Sequence, residues 1–388
     1  MHSPNHLFPR LVTAGAICLA SAALARQPDD APRARGLLSL PASVAVTRDI
    51  EYARPTTGKP LLLDVYLPKQ EKPDAAEPRA ATTPKPTPLP VIIWIHGGGW
   101  ESGTKNGCPA AQLVPHGYAA VSISYRFSQV APYPAQIHDC KAAVRWVRAH
   151  AKEYNFDPDH IGVWGASAGG HLVALLGTTA RDKQLEGDLG DCDEQSSAVQ
   201  AVCDWFGPTD LIRLCRMAGG ESADQAAQPR TGFTPPPRHP DHASTSDPDP
   251  AAQSDKPSQR PGASNADSPD DAGAKRPRVP TPGPIFKLLG GKIESRLALA
   301  DSANPISFVD KSDAPFLIVH GDADTLVPID QSDLLLAALK HAGVDARLHV
   351  VKGGGHGFWN ADLLRIVREF FDAKLKPSPQ PPAPTPHP

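Results

Sequence analysis

The chain lacks an excess of charge of either sign. Its 39 lysines and arginines stand against 42 aspartates and glutamates, a formal net charge of −3 over 388 residues. Nucleic-acid binding needs a basic face to neutralise phosphates, so no nucleic-acid partner is expected. No two cysteines have Cys-x-x-Cys spacing, and no cluster of histidine, cysteine and carboxylate has metal-ligand spacing, so neither a metal nor another cofactor is expected. Internal repeats are lacking, as is a run long enough to span a bilayer as a stable helix. The apolar stretch Leu11 to Ala25 is too short for that.

That stretch follows a start whose single basic residue is Arg10 and ends in Ala23-Leu24-Ala25, the pattern of a secretory signal cleaved after Ala25. A secreted or periplasmic protein is expected. Ile17 precedes Cys18 where a lipoprotein signal would carry a small residue, so no lipid anchor is read. Without Cys18 there remain Cys108, Cys140, Cys192, Cys203 and Cys215, an odd number for an oxidising compartment. Cys108 with Cys140 and Cys192 with Cys215 are the first pairings to consider, and a fully reduced set is the alternative.

What is abundant is proline, with 44 residues, and glycine, with 31. Proline gathers in segments poor in large apolar residues, which cannot bury enough surface to offset their ordering entropy. They divide the chain into a signal peptide (1–25), a leader (26–43), one domain (44–376) with disordered insertions at about 69–90 and 219–284, and a Pro-rich tail (377–388).

Within the domain, Val44 to Ala53 and Leu61 to Leu67 read as an antiparallel hairpin. Apolar runs at Val91 to Ile95, Tyr118 to Tyr125, Ile161 to Trp164, Val199 to Trp205, Phe316 to Val319 and Arg347 to Val351 read as strands. Helical spacing falls between them at Gly107 to His116, Pro134 to Tyr154, Ala168 to Ala180 and Ser332 to His341, with a closing helix at Asp362 to Leu375. Short helical pieces are expected near Ile285 to Leu289 and Glu294 to Leu299. Alternating strand and helix implies an α/β fold whose mostly parallel sheet is covered on both faces.

Ligands of such sheets sit at the carboxyl ends of the strands, where four unusual stretches fall. Gly165-Ala166-Ser167-Ala168-Gly169 satisfies Gly-x-Ser-x-Gly, with Ser167 at a strand-to-helix apex. His96-Gly97-Gly98-Gly99 follows Ile95, and its glycines can aim N–H groups at one point. Gly98, Gly99 and Ala168 are the candidate oxyanion donors. His320-Gly321-Asp322-Ala323-Asp324 offers a carboxylate to orient a base, Asp324 being preferred and Asp322 assigned to capping the turn. Gly353-Gly354-Gly355-His356-Gly357 places a histidine on a glycine loop. The chain order Ser167, Asp324, His356 is that of a serine hydrolase built on an α/β sheet. His96 is read as bracing the glycine loop, His320 as a strand-end residue, and His171 as lying one turn into the helix behind the serine.

These residues carry a family resemblance. His96-Gly-Gly-Gly-Trp100, Ser124-Tyr-Arg126, Tyr133-Pro-Ala-Gln-Ile137, Asp139-Cys-Lys141, Asp157-Pro-Asp-His-Ile161, Val163-Trp-Gly-Ala-Ser-Ala-Gly-Gly-His171 and Asp204-Trp-Phe-Gly-Pro-Thr-Asp210, with the Asp324 and His356 loops, resemble the α/β-hydrolase superfamily. Within it they are most similar to hormone-sensitive-lipase-like carboxylesterases of the bacterial feruloyl and acetyl-xylan esterase-like (BD-FAE-like) branch. The resemblance spans most of 44–376. It implies an α/β-hydrolase fold, Ser167 as nucleophile, Asp324 as acid, His356 as base, and Trp100 and Trp205 lining the substrate pocket. The insertion at 219–284 departs from the family pattern, where cap elements often stand.

The expected function is a secreted serine carboxylesterase acting through an acyl-enzyme on small acyl esters, including acetyl or feruloyl esters of polysaccharide. An amidase, formamidase or exopeptidase with the same triad is the alternative within the class. A non-catalytic binding module on a hydrolase fold is the alternative outside it. No stable membrane span is expected after signal cleavage, and oligomeric state is left open.

Overall fold

The computed structural model describes residues 39–56, 58–70, 87–219 and 283–376. The expected signal peptide, most of the leader, most of the 69–90 insertion, nearly all of the 219–284 insertion and the tail lie outside the described residues. Eight strands form one sheet in the order β1-β2-β4-β3-β5-β6-β7-β8. They are β1 (Val44–Ala53), β2 (Leu61–Pro68), β3 (Leu89–Ile95), β4 (Ala119–Ile123), β5 (Phe156–Ala166), β6 (Ala201–Trp205), β7 (Phe316–Gly321) and β8 (Ala346–Val351). β1 pairs antiparallel with β2, and β2 antiparallel with β4. Every remaining pairing is parallel, with Trp94 opposite Trp164, Gly165 opposite Asp204, and Asp204 opposite Ile318.

The central strands are apolar in succession because both of their faces are covered. Alternate side chains feed two cores. Val91, Ile93, Ile95, Val121, Ile123 and Val163 point to one face. There α1 (Ala135–Ala149) supplies Ile137, Cys140, Val144 and Val147, and α2 (Ala168–Thr178) supplies Leu172, Leu175 and Leu176. Ile92, Trp94, Trp164, Cys203 and Trp205 point to the other face. A 3₁₀ helix at Pro109–His116 and the closing helix cover it. Each of these large side chains stabilises by about 1.5–3 kcal/mol through removal from water.

Among the described residues, further α-helices follow at α3 (Leu211–Ala218), α4 (Gly283–Leu288), α5 (Leu297–Ser302) and α6 (Asp330–His341), before the closing α7 (Ala361–Leu375). α3 was not expected, although Leu211, Leu214, Cys215 and Ala218 keep helical spacing and Asp210 caps it by accepting from Arg213 N–H at 2.9 Å. The expected helix from Pro134 to Tyr154 breaks at His150 into α1 and a single turn at Ala151–Tyr154. The piece from Gly107 is 3₁₀ and starts at Pro109, and β3 begins at Leu89, inside the segment expected to be an exposed connection.

The two disulfide pairings are corrected. Cys108, Cys140, Cys192, Cys203 and Cys215 are all free. Cys140 packs in the first core and Cys108 against the second, so the sheet itself separates them. Cys215 is buried in the wall formed by α3, whereas Cys192 lies in the loop before β6. Among the described residues no helix is long and apolar enough to cross a membrane.

Candidate active site

Ser167 stands between β5 and α2 at φ 56° and ψ −121°, a conformation that a side chain rarely adopts. The turn is held by an interlock of backbones. A Cβ on Gly169 would lie 2.1 Å from the Ile95 carbonyl oxygen, and one on Gly97 would lie 2.6 Å from the Ala166 oxygen. The serine turn and the His96 loop therefore approach each other as bare backbone, and the strain at Ser167 is fixed by contacts rather than by its own preference. Ser167 N–H donates to the Trp205 carbonyl at 2.8 Å, tying the turn to β6.

The three residues that the chain order set apart meet. His356 Nε2 lies 2.9 Å from Ser167 Oγ, and His356 Nδ1 lies 2.7 Å from Asp324 Oδ2. With a carboxylate at Nδ1, that nitrogen carries the proton and Nε2 is left to accept from the serine hydroxyl. Asp324 Oδ1 accepts Leu326 N–H at 2.8 Å and Val327 N–H at 2.9 Å. Burial pushes the Asp324 carboxyl up. The hydrogen bonds from His320 and His356, the nearby His356 charge and the Val327 N–H outweigh it and hold the group well below the usual carboxylate range.

Asp322 is not in this set. Its Oδ1 accepts Gly353 N–H at 2.6 Å, so it holds the base of the loop that presents His356. Ala323 N–H donates to Gly354 O at 2.9 Å beside it. The His356 ring also meets the edge of Phe206, with centroids 4.8 Å apart.

Gly99 and Ala168 line the same cavity as Ser167. Gly98 does not, though it precedes Gly99 in the loop; its carbonyl accepts Glu101 N–H and Ser102 N–H, both at 3.1 Å. Among the described residues, none of the N–H groups of Gly98, Gly99 and Ala168 has a hydrogen-bond acceptor. His96 Nδ1 is 2.7 Å from Gly97 O, and the Tyr125 hydroxyl donates to His96 O at 3.0 Å. The His96 side chain thus touches the glycine loop at Gly97, and its backbone is tied to Tyr125.

The cavity occupies about 560 Å³, its open mouth included. Its walls are apolar, with Trp100 and Pro208 near the serine, Leu214, Cys215 and Ala218 from α3, Pro284 and Ile285 from α4, and Leu326 with Val327. Trp100 is where it was expected. Trp205 is not, and its role as a pocket residue is corrected: the indole is buried in the second core against Trp164, Trp359 and Phe358, with centroids 5.2–5.4 Å away. Position 205 on β6 points away from the cavity because Cys203 and Trp205 share the face opposite Val202.

Sequence reasoning also missed two histidine contacts. His171 accepts Trp100 Nε1–H at 3.2 Å on Nδ1 and donates from Nε2 to Ala303 O at 2.6 Å, so it holds the pocket tryptophan. Burial pushes this imidazole down to about 4, against the pull of the Ala303 carbonyl. His320 is wholly buried and lies 3.3 Å from Asp324 Oδ2. Its spacing of four residues before Asp324 was the only available signal. Among the described residues no cluster of histidine, cysteine and carboxylate could hold a metal ion.

A strained serine after a parallel strand, with histidine and aspartate from loops after the last two strands, defines an α/β-hydrolase fold. The BD-FAE family profile matches residues 63–257 and 274–339, and the chain belongs to that family. It is 30% identical over 361 residues to an esterase of Mycobacterium tuberculosis, LipQ, covering 90% of this chain and 66% of that one. A truncated carbohydrate esterase from gut microbiota superposes with a TM-score of 0.60 at 30% identity, over 85% of this chain and 95% of that one. An acetyl ester-xyloside bifunctional hydrolase from Caldicellulosiruptor lactoaceticus superposes with a TM-score of 0.56 at 21% identity, over 84% and 96%, and shares the fold. The chain spans between 29% and 66% of the length of the first three curated relatives it matches.

Proposed function

We propose that the protein is a serine carboxylesterase that hydrolyses esters of small, uncharged acyl groups through an acyl-enzyme. The observation that carries this reading is the contact of His356 Nε2 with Ser167 Oγ at 2.9 Å, at the floor of an apolar cavity. Esterase is also what LipQ and the gut carbohydrate esterase are called.

In this reading, Ser167 Oγ attacks the ester carbonyl while His356 Nε2 takes its proton. Negative charge forms on the carbonyl oxygen and is received by the unpartnered N–H groups of Gly99 and Ala168, with Gly98 as the third donor. His356 then gives the proton to the leaving alkoxide, releasing the alcohol. Water attacks the acyl-serine by the same route in reverse roles and frees the acid. Asp324 stays ionised throughout and offsets the imidazolium charge.

Among the described residues the walls of the cavity bear no charged side chain, which favours aliphatic or aromatic acyl groups over charged ones. Acetyl esters on polysaccharide fit this description, with the sugar on the solvent side of the scissile bond. Export is inferred from the Leu11 to Ala25 stretch and its Ala23-Leu24-Ala25 ending.

The test compares p-nitrophenyl acetate, acetylated xylan, methyl ferulate, longer acyl esters and formyl-kynurenine. Turnover of the acetyl esters, abolished in Ser167→Ala, supports the reading. Turnover confined to the amide, or absent for all of them, rejects it.

A further inference from the structure

The buried neighbours of Asp324 include a second imidazole that the esterase reading leaves without work. His320 is the penultimate residue of β7, is 0% exposed, and makes three polar contacts. Its Nδ1 is 2.6 Å from the Ser332 hydroxyl on α6. Its Nε2 is 2.8 Å from the Val327 carbonyl and 3.3 Å from Asp324 Oδ2, the same oxygen that receives His356 Nδ1–H. Both neighbours of Nε2 are pure acceptors, so Nε2 carries a proton. Ser332 is itself 0% exposed and can donate its hydroxyl proton to Nδ1, which fixes the neutral ring in one tautomer.

We propose that His320 is a positioning residue for the Asp324 carboxylate: locked by Ser332 as the neutral Nε2–H tautomer, it shares Oδ2 with His356 and sets the plane in which Asp324 meets the catalytic histidine. The assignment rests on the esterase reading for its kinetic consequences and on geometry alone for its tautomer. Two backbone N–H groups bond Oδ1 and the His356 N–H bonds Oδ2, while the His320 Nε2–H, bonded to the Val327 carbonyl at 2.8 Å, also stands 3.3 Å from Oδ2. Such a group cannot rotate without losing a bond. Sharing Oδ2 also has an electronic effect. The His320 N–H draws off part of the negative charge that would otherwise face His356, so its removal makes imidazolium formation at His356 easier.

Other ionisable groups face the ring. Asp324 lies on its own loop, with His356 behind it. From β6 comes Asp204, a carboxyl pushed up to about 6 by burial against the pull of Gly207 N–H and of His320, with one oxygen lacking a partner among the described residues. The uncharged Phe206 ring stands edge-on at 6.4 Å. Titration of Asp204 could imitate the effect, so this carboxyl is tested alongside.

The experiment measures kcat and KM for p-nitrophenyl acetate from about pH 5 to 9 in the wild type, His320→Leu, His320→Gln, Ser332→Ala, Ser332→Thr and Asp204→Asn, with unfolding curves for each. Imidazole nitrogen NMR of the wild type reads the tautomer without reference to activity. His320→Leu is expected to lower kcat by roughly 10- to 100-fold with KM within about threefold, and to move the acid limb of kcat/KM upward. His320→Gln, which keeps an N–H donor, restores most of the loss. Ser332→Ala gives a smaller fall, which Ser332→Thr reverses, and it keeps the test decisive where His320→Leu does not fold.

Unchanged kcat per folded molecule and an unmoved acid limb in both His320→Leu and Ser332→Ala overturn the proposal. The same limb movement in Asp204→Asn reassigns it to that carboxyl. A His320 resonance with a bare Nε2 overturns it even if the wild type has no esterase activity.

Discussion

The serine end and the acid end of the site are built by different means. At the serine end, Ser167 is held by backbone pressed on backbone, with Gly97 and Gly169 leaving no room for a Cβ against Ala166 and Ile95. At the acid end, Asp324 and His356 are held by hydrogen bonds within and between loops: Leu326 and Val327 N–H on Oδ1, His356 on Oδ2 with His320 3.3 Å from the same oxygen, and Asp322 on Gly353 N–H. Steric construction is all or none, because a packed backbone yields only by moving the strands that carry it. Hydrogen-bond construction is graded, since each bond can be removed singly. On the proposed reading, the serine end would fix where the reaction happens, and the acid end would tune how well His356 performs as a base.

Substitutions separate the two. Ser167→Ala removes the proposed nucleophile and is expected to lower kcat by about 10⁴- to 10⁶-fold with an unchanged unfolding midpoint, checked on p-nitrophenyl acetate. Asp324→Asn presents an amide where a carboxylate fixed the tautomer, and lowers kcat by roughly 10⁴-fold in a protein that still folds. Gly169→Ala places a methyl 2.1 Å from the Ile95 oxygen and is expected to cost more than about 4 kcal/mol, read as loss of cooperative unfolding or of soluble protein. Asp322→Ala should lower kcat by about tenfold while leaving stability within about 1 kcal/mol, because one exposed loop bond is lost. If Asp322→Ala behaved like Gly169→Ala, the distinction between the two ends would fail.

A further test is set by pH. His171 ties Trp100 to Ala303 and is buried as a neutral ring, its pKa pushed down to about 4. Between about pH 6.5 and 4 the unfolded chain takes up a proton at this position that the folded one refuses, so stability rises with pH across that window. The fall on acidification amounts to about 3 kcal/mol and should flatten in His171→Gln, measured by urea unfolding at several pH values. Asp324 contributes in the same direction through a depressed carboxyl: its share is present above the unfolded carboxylate value and is lost only as pH falls towards the folded one. Equal acid slopes in wild type and His171→Gln would remove His171 from this account.

What could be read from the chain follows the same division. The hairpin strands β1 and β2 and the starts of β7 and α2 fall where the apolar pattern placed them, since the buried positions of a sheet leave a trace in sequence. The serine turn and its glycine loop were legible because close backbone contact demands glycine at fixed spacing. Contacts that join residues far apart in sequence leave no such trace. The link from His171 to Ala303, the facing of Trp205 into the second core, and the sharing of Asp324 Oδ2 by His320 depend on how loops fold over the sheet. α3 was legible in principle, with Asp210 as its cap and apolar residues at 211, 214, 215 and 218, but it borders the Pro-rich segment whose composition dominates that region. The cysteines could not be paired by spacing, since spacing does not say on which face of a sheet a thiol lies.

The central claim is that Ser167 is an activated nucleophile. Its most direct test is intact-mass and peptide mapping after exposure to a fluorophosphonate. One adduct per chain on the peptide containing Ser167, absent in Ser167→Ala and strongly slowed in Asp324→Asn, is the predicted result. A protein that stays unlabelled, or an adduct on another residue, would contradict the account.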